Sequence, residues 1–393
     1  MNVLNHDSQD LLNRKALITA QEIEGQPAVW KKLAAVLTER KDEMKAFIDT
    51  VRAIPNLRII FTGAGSSAFI GESMSMMLMQ EFGIRSECQH TTDVVATPES
   101  IFYDVPTLLV SYSRSGSSPE SCAAIEVAQR HVSQLYNLVL VCNNDSALSR
   151  MPLDPENNKI FAIPQEACDQ GFAMTCSVSC MALATWVLFS GDEMDKRIRY
   201  LSTLADSVAA QIPALQQQAA EIAKWDYTRI VYLGFGALRG LAREGAVKSQ
   251  ELTNGYVCAS YDTPTGFRHG PKTMINDETL IVMMATPLPF ASLYDYDMIR
   301  ELSTQKVKDR VAVVADARQR YDLSDASYAI RYQIPAAFED SEMNAYIYSL
   351  VFLQLLSFER SYALNITTDN PCPTGEVNRV VQGVIIHQPS ELQ

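Results

Sequence analysis

The sequence lacks several features that define large classes of proteins. Its longest apolar runs, at 181–189 and 347–356, are shorter than the roughly 20 residues that span a bilayer. The first residues show no basic region followed by an apolar one, so no secretion signal is expected. The eight cysteines form no Cys-x-x-Cys pair and no regular framework, which suits a reducing compartment. We therefore expect a cytoplasmic protein without a membrane partner.

Positive charge and metal-ligand patterns are also scarce. The 33 basic residues face 46 acidic ones, and the net charge of −13 argues against nucleic acid as a general partner. It does not forbid one small anion in a local pocket. No two of the five histidines share metal-ligand spacing and no Cys/His cluster exists, so neither a metal nor another cofactor is expected. The 393 residues, 47% of them hydrophobic, suffice for two domains with sizeable cores.

The most informative stretch, residues 111–121, reads Ser-Tyr-Ser-Arg-Ser-Gly-Ser-Ser-Pro-Glu-Ser. It follows an apolar run and precedes a helix-like sequence, which predicts a strand, a loop and a helix N-terminus. Unpaired backbone N–H groups at a helix start attract anions, and serine hydroxyls can donate to phosphate oxygens without adding bulk. The stretch therefore predicts a phosphate-binding loop, with a Ser-rich capped turn as the alternative.

The order of apolar and polar segments predicts the organisation of the chain. Residues 1–55 have helical periodicity, and Thr19 to Glu22 resembles a capping box. A strand then runs from Arg58 into a glycine turn. Further strands are predicted at 107–112, 138–142 and 159–163, and helices at about 66–82, 119–133 and 172–190. This alternation is typical of a parallel sheet covered by helices on both faces.

The first half of the chain is repeated in the second half. Residues 229–236 repeat 58–65 at an offset of 171. The same offset carries Leu109-Val110 onto Leu280-Ile281, Ile163-Pro164 onto Ile334-Pro335, and the apolar helix near 181–189 onto the one at 347–358. We infer an internal duplication of one α/β unit. The predicted boundaries are a helical segment at 1–55, a first unit at 56–195, a helical connection at 196–225, a second unit at 226–365 and a tail at 366–393.

The two copies differ where chemistry is expected. Ser66-Ser67 become Ala237-Leu238, and the serine loop 113–118 becomes a loop at 284–289 with no glycine and few hydroxyls. Only the first copy is therefore predicted to bind an anion. The second copy has ionisable residues instead, and Glu244, Lys248 and Glu251 stand at spacings that place them on one helix face. The alternative is a solvated face with an ordinary salt bridge.

His269 is the histidine with the most constrained sequence context. It lies in a loop between Gly266 and Gly270-Pro271, with Arg268 and Lys272 beside it. A histidine held in this way can act as an acid or base near neutral pH. A surface or packing histidine is the alternative.

The glycine turn also satisfies a dinucleotide fingerprint, Gly63-x-Gly65-x-x-Ala68. Three features argue against an oxidoreductase. Two serines lie in the turn, a second hydroxyl loop follows a later strand, and the acidic candidate Glu87 lies in a polar stretch rather than at the end of a clear strand. The pattern favours a sugar phosphate over a nicotinamide cofactor.

The glycine turn 62–67, the serine loop 113–120 and the region from Glu244 through Glu251 to His269-Gly270-Pro271 resemble the double SIS (sugar isomerase) family. The resemblance covers about 55–390. It implies two tandem SIS domains, each a parallel sheet between helices in a three-layer, flavodoxin-like α/β fold, after the N-terminal helical segment. The motif 267–272 and the tail 374–387 resemble the AgaS group of D-galactosamine-6-phosphate deaminase/isomerases, also labelled tagatose-6-phosphate ketose/aldose isomerases.

The resemblance implies a role for each matching residue. Glu251 would move the proton at C2, and His269, which relatives take from the neighbouring subunit, would open the sugar ring. Lys248 matches a lysine near the sugar in glucosamine-6-phosphate synthase, and 169–175 resembles a ligand-contacting turn of that enzyme. The phosphate would be held by serines, namely Ser66, Ser67, Ser113, Ser115 and Ser118. The remaining predicted substrate contacts are Gly65, Arg114, Phe172 and Thr175.

The resemblance implies that galactosamine 6-phosphate is converted to tagatose 6-phosphate and ammonia by a homo-oligomer, at least a dimer. An isomerase acting on a neutral sugar phosphate is the alternative, and a non-catalytic sugar-phosphate-binding regulator is a second. Amination by glutamine is not expected. The sequence shows no glutamine-hydrolysing segment, and it has no lysine after Lys308 to match the Schiff-base lysine of the synthase tail.

Overall fold

A computed structural model describes residues 2–319, 322–381, 383–387 and 391. It begins with a short antiparallel hairpin and two helices: β1 (Asn2–Val3), β2 (His6–Asp7), α1 (Ser8–Asn13) and α2 (Leu17–Arg52). The predicted capping box is wrong, because α2 begins before Thr19. The side chain of Asp369 accepts hydrogen bonds from the backbone N–H groups of Ile18 and Thr19 at 3.2 and 2.8 Å. The C-terminal tail therefore caps this helix.

The first α/β unit follows α2. Its elements are β3 (Arg58–Gly63), α3 (Ser66–Phe82), β4 (Glu87–His90), α4 (Thr91–Ala96), α5 (Pro98–Ile101), β5 (Thr107–Ser113), α6 (Pro119–His131), β6 (Leu135–Val141), β7 (Asn158–Ala162) and α7 (Cys176–Leu188). The strands form a parallel sheet in the order β4-β3-β5-β6-β7. The central strand β5 is buried along its whole length, as expected for a sheet covered on both faces.

A long helix, α8 (Met194–Ala223), leads to the second unit. That unit contains β8 (Arg229–Leu233), α9 (Ala237–Leu252), β9 (Cys258–Asp262), α10 (Pro264–Phe267), β10 (Thr279–Met284), α11 (Ala291–Leu302), β11 (Val311–Asp316), β12 (Tyr328–Tyr332) and α12 (Glu342–Ala363). Its strands are parallel in the order β9-β8-β10-β11-β12, which is the topology of the first sheet. The described residues thus form two copies of one parallel α/β unit, which confirms the predicted fold class.

The single repeat offset is correct only at the start of each copy. Phe61 pairs with Val110 in the first sheet, and its counterpart Tyr232 pairs with Val282 in the second. The offset is therefore one residue longer at the third strand, and it changes again at each later strand, first upwards and then downwards. Loops of different length between the strands explain the drift.

The strand β4 was missed by the sequence pattern. It has four residues, all half-buried, at the edge of the sheet, so it has no apolar run. Glu87, assigned to a polar stretch, is its first residue and pairs with Arg58. A carboxylate at the start of β4 is remote from the carboxyl end of that strand, where a dinucleotide ribose would bind.

The two units share one core and pack through α3 and α9. A methyl group on Gly240 would lie 2.5 Å from Ser73 Oγ and 2.9 Å from the carbonyl oxygen of Phe69, so glycine permits the close approach of the helices. Helices α7 and α12 are almost completely buried. Among the described residues, no helix has the length and apolar character needed to cross a membrane.

Candidate functional site

The candidate site lies at the carboxyl ends of β3 and β5, which are neighbours in the first sheet. After β3 the chain continues to β4 on one side and then crosses to β5 on the other. Open parallel sheets bind ligands in the crevice at such a switch point. The glycine turn after β3 and the serine loop after β5 therefore open into the same crevice.

Gly65 shapes the turn that precedes α3. Its φ of 55° and ψ of −129° form a backbone conformation that L side chains rarely adopt. Apart from Gly65 and its two chain neighbours, no atom of the described residues lies within 4 Å of the position that its Cβ would take, so the space is open. Ser66 and Ser67 are buried in the first turn of α3. Hydroxyls and a helix N-terminus beside open space suit a phosphate group.

The serine loop is a capped turn as well as a candidate anion loop. Ser113 Oγ accepts a hydrogen bond from the N–H of Gly116 at 3.0 Å, and Ser115 Oγ accepts one from the N–H of Ser117 at 3.3 Å. Ser118 caps α6 by accepting from the N–H of Ser121, also at 3.3 Å. A serine oxygen that accepts from the backbone can still donate its own O–H to a phosphate oxygen. The two interpretations are therefore compatible.

The predicted charged face of α9 is present and directed into the protein. Lys248 Nζ lies 2.5 Å from Glu251 Oε2 and 3.5 Å from Glu244 Oε1. The solvated-face alternative is wrong, because the side chains of Glu244 and Lys248 are each only 1% exposed. The side chain of Glu251 is 32% exposed. Of these three groups, Glu251 is the one that a ligand in the crevice can reach.

Burial and the neighbouring opposite charges shift the pKa values of the side chains on this face in opposite directions. Burial lowers the pKa of Lys248, but the carboxylates of Glu244 and Glu251 outweigh it and raise that pKa above its ordinary value. Burial raises the pKa of Glu244; Lys248 opposes this rise and Glu251 adds to it. The nearby Ser66 hydroxyl also lowers the pKa of Glu244. The charged helix of the second unit therefore faces the glycine turn of the first.

Arg114 adds a second buried cation and ties the tail to the crevice. Its guanidinium donates to the carbonyl oxygens of Phe172 at 3.4 Å and Arg379 at 2.6 Å. Arg379 in turn donates to the carbonyl oxygen of Asp169 at 2.6 Å. Burial lowers the pKa of Arg114, while the negative charge of Asp169 opposes this effect. The tail thus closes over the serine loop; Gln382 of the tail motif lies outside the described residues.

The turn at 169–175 forms the neighbouring wall. Met174 Sδ lies 3.8 Å from Ser67 Oγ, which places this wall beside the first turn of α3. Phe172 is buried. The N–H and hydroxyl of Thr175 both donate to Asp169, at 3.0 and 2.7 Å. Thr175 therefore shapes the turn, and its substrate contact stays a prediction.

His269 is not brought to this cluster within one chain. It follows α10, where its backbone N–H donates to the carbonyl oxygen of Gly266 at 2.9 Å, and the residue is exposed. Arg268 and Lys272 both pair with Glu301. In the described part of the chain, no hydrogen bond or ion pair joins His269 to Glu251 or to the serine loop.

Sequence reasoning gave no site role to Glu244 and Arg379. The spacing on α9 placed Glu244 on the correct face, but its burial depends on packing between the units. Arg379 lies in the tail motif, and its contact with Arg114 is too distant in sequence for a local pattern to show. Within the described ranges, no group of three or more His, Cys, Asp or Glu is arranged to hold a metal ion.

Two tandem parallel α/β units of the same topology, with a glycine turn at the switch point of the first, define the class of double parallel α/β folds to which this chain belongs. Residues 54–191 match the family model described as SIS domain. The crystal structure of a protein from Clostridium novyi NT is 36% identical and has a TM-score of 0.91 over 99% of each chain.

The crystal structure of tagatose-6-phosphate ketose/aldose isomerase from Escherichia coli is 34% identical, with a TM-score of 0.84 over 94% of this chain and 96% of that one. D-galactosamine-6-phosphate deaminase AgaS of Escherichia coli is 36% identical over 371 residues, which cover 94% of this chain and 95% of that protein. The chain therefore belongs to the AgaS family of SIS-domain proteins.

Proposed function

We propose that this protein converts D-galactosamine 6-phosphate and water to D-tagatose 6-phosphate and ammonia, in amino sugar catabolism. Nearly full-length similarity to the Escherichia coli deaminase supports the proposal. The observation that carries it is the position of Glu251, an accessible carboxylate held by the buried Lys248 on the helix that faces the open glycine turn. The site would thus combine a base and an anion cradle in one crevice.

Phosphate binding would be the task of the first unit. The predicted phosphate contacts are the hydroxyl groups of Ser66, Ser67, Ser113, Ser115 and Ser118. The positive end of α3 would attract the phosphate, and Gly65 leaves room for it. Arg114, Phe172 and Thr175 would form the wall of the sugar site, because the guanidinium of Arg114 holds the turn 169–175 against the serine loop.

Glu251 would perform the proton transfer. After ring opening to the aldehyde, the C2 proton is acidified by the adjacent carbonyl group. Glu251 takes this proton and returns it to C1, while the amino nitrogen loses one proton and the C1 oxygen gains one, which converts the 2-amino aldose to a 2-imino ketose. Water then adds to the imine carbon, and ammonia leaves as tagatose 6-phosphate forms. Lys248 would hold Glu251 in position through their 2.5 Å ion pair.

His269 would open the ring, and we propose that it acts on the site of a neighbouring subunit in a homodimer or larger assembly. Within one chain, its exposed ring contacts none of the described site residues. The adjacent helix α11 exposes an apolar patch made of Leu293 and Tyr294, with Phe290 just before it. Exposed apolar patches of this kind are typical of interaction surfaces. A second copy of the chain is the partner that the proposed chemistry requires.

A cytoplasmic location is part of the same proposal. All eight cysteines are free thiols, and Cys258 is exposed. Exposed free thiols are stable in a reducing compartment. The substrate would be a phosphorylated sugar, and no nucleic acid or membrane partner is needed for its conversion.

The alternative reaction is the interconversion of an aldose and a ketose phosphate without loss of nitrogen. The name of the 34% identical Escherichia coli protein, tagatose-6-phosphate ketose/aldose isomerase, favours it. Both reactions use the same C2 proton transfer and differ mainly in the substituent on C2. The geometry of Glu251 therefore serves either reaction.

Release of ammonia from galactosamine 6-phosphate, without added nucleotide or metal, tests the proposal. The control substrate is glucosamine 6-phosphate, which differs at C4. Rapid ammonia release from the galacto sugar alone supports the deaminase and its C4 selectivity. Binding of both sugars without ammonia release contradicts the proposal, and isomerisation of tagatose 6-phosphate is then the reaction to assay.

A further inference from the structure

The same glycine turn is open in the first unit and filled in the second. Gly65 has φ 55° and ψ −129°, and its counterpart Gly236, which precedes α9, has φ 56° and ψ −130°. A methyl group added to Gly65 would have no atom of the described residues within 4 Å. At Gly236, the same methyl group would lie 2.7 Å from Glu342 Oε1. A carboxylate thus lies in the second unit where the first unit has open space.

Glu342 reaches this position because of its place on α12. It is the first residue of α12, whereas Cys176, with a much shorter side chain, is the first residue of the matching helix α7. Glu342 is 1% exposed, and no donor in the described chain completes a hydrogen bond to either carboxylate oxygen. It faces the backbone N–H of Ala237, at the start of α9; burial and the nearby Glu81 raise the pKa of Glu342 to about 7, and this N–H opposes the rise. Helix N-termini favour negative groups at this position.

The crevice around Glu342 is acidic. A cavity of about 570 Å³ lies beside it and includes Leu288, from the loop that replaces the serine loop. The charged groups that line it are Glu81, Arg197, Glu339, Asp340 and Glu342. Arg197 is already paired with Glu81 and Glu193, at 3.0 Å each. The excess of carboxylates in this cavity would repel a phosphate, whereas the first unit offers serines and Arg114. A separate cavity contains Gly236 itself and is lined by Glu72, Arg239 and Arg243, so Glu342 excludes a phosphate from the turn by filling its space.

We infer that the Glu342 carboxylate is a built-in ligand, which occupies in the second unit the position that a phosphate takes in the first. Each chain then binds one sugar phosphate, and the second unit accepts an inorganic phosphate only when the Glu342 side chain is removed. The count of one rests on the proposed phosphate site of the first unit. The inference that Glu342 fills the Gly236 turn does not rest on that site.

Equilibrium dialysis with radiolabelled inorganic phosphate tests the inference. Wild-type protein should bind one phosphate per chain. Glu342→Ala should bind two, the second more weakly because the acidic groups around it remain. Glu342→Gln is the matched control, since it removes the charge but keeps the space filled, and it should still bind one. Two phosphates on wild-type protein, or no gain in Glu342→Ala that melts at the wild-type temperature, would overturn the inference.

A second set of variants separates this inference from the proposed function. Ser66→Ala/Ser67→Ala should bind no phosphate, and the addition of Glu342→Ala should restore one. If wild-type protein binds none while Glu342→Ala binds one, the proposed site of the first unit fails and the inference stands. A phosphate soak of wild-type crystals tests the inference without any variant. Density is expected beside Gly65, and density beside Gly236 contradicts the inference.

Discussion

Glu251 and Lys248 show how burial distinguishes two charged residues of one helix face. Lys248 is buried between carboxylates that keep it charged. Glu251 accepts the hydrogen bond of this lysine and still has a partly exposed side chain. A carboxylate held in a fixed position and open to a ligand suits a general base.

We expect Glu251→Gln to lower kcat by about 100- to 10,000-fold, the usual contribution of a positioned general base. Affinity for the sugar phosphate should change little, because the serine loop lies on a different element. Steady-state kinetics and equilibrium binding measure the two quantities. Glu126→Gln, on the exposed face of α6, is the control and should behave as wild type. Full turnover by Glu251→Gln would show that the base is another group.

Asp295 is a buried carboxyl group outside the proposed site. It is 2% exposed on α11 and accepts a hydrogen bond from the N–H of Thr286 at 2.8 Å. Burial raises its pKa from 3.8 to about 8. From pH about 4 to about 8, the folded chain therefore holds a proton that the unfolded chain releases. The free energy of unfolding falls as the pH rises through this window and levels off above it.

Asp295→Asn should remove this pH dependence, since the amide oxygen can still accept from Thr286 and carries no charge. At pH about 8 we expect the variant to be more stable than wild type by about 1–3 kcal/mol, with the difference disappearing towards pH 4. Urea unfolding at several pH values provides the measurement. Asp297→Asn, exposed on the same helix, is the control. An equal difference at both ends of the pH range would contradict the assignment.

At the scale of elements, the sequence predicted those parts of the fold that have a local pattern. The range predicted for α3 agrees with the observed helix, because the glycine turn and the helical apolar spacing mark it clearly. The edge strand β4 has no apolar run and was missed. The start of α2 was misplaced because its cap, Asp369, comes from the distant tail. Interactions between distant segments leave no periodic signal.

In the candidate site, too, some features follow from a local sequence pattern and others depend on contacts between distant segments. Spacing alone placed Glu244, Lys248 and Glu251 on one face of α9, and the structure confirms their proximity. Spacing could not show that the face is buried, since burial depends on how α9 packs against α3. The position of Glu342 beside Gly236 has no local signal either. It depends on where α12 begins relative to the second glycine turn.

The N-terminal turn of α3 can be tested by two matched glycine substitutions. Gly65 and Gly83 lie at opposite ends of the helix, both have positive φ, and no described atom is within 4 Å of either Cβ position. Each alanine substitution should therefore lower stability by about 1–3 kcal/mol through backbone strain alone.

Only Gly65→Ala should also weaken phosphate binding, because its methyl group projects into the open crevice. We expect a loss of affinity of about tenfold or more, equivalent to about 1.4 kcal/mol. Thermal melts and phosphate titrations of both variants measure the two effects. Equal loss of binding in Gly83→Ala would mean that strain, and not the occupied space, is responsible.

At the scale of the molecule, equivalent helices of the two duplicated units contribute different residues to the candidate site. Helix α3 carries the glycine turn and serines, and α9 carries Glu251, the proposed base. Glu72 of α3 and Arg243 of α9 hold equivalent positions and form an ion pair across the contact, which His90 extends by a hydrogen bond to Glu72 at 2.8 Å. The site therefore depends on both units, and separating them would remove either the anion cradle or the base.

In the proposed assembly His269 is a third contribution to the site, and mixing two inactive variants tests where it acts. If His269 acts across subunits, a mixed dimer of Glu251→Gln and His269→Asn contains one site with both groups intact. Random mixing of equal amounts should then restore about a quarter of wild-type activity, since half of the dimers are mixed and each has one competent site. Activity is measured after the variants have been unfolded and refolded together.

The same experiment discriminates against action within one chain. In that case every site of a mixed dimer still lacks one of the two groups, so mixing restores nothing. Each variant refolded alone is the baseline, and a refolded mixture of wild type with Glu251→Gln controls for recovery. Restored activity requires the chains to associate through a face that brings the loop after α10 to the crevice of the partner. Failure to restore it, with mixed dimers shown by native mass spectrometry, would place the ring-opening group elsewhere.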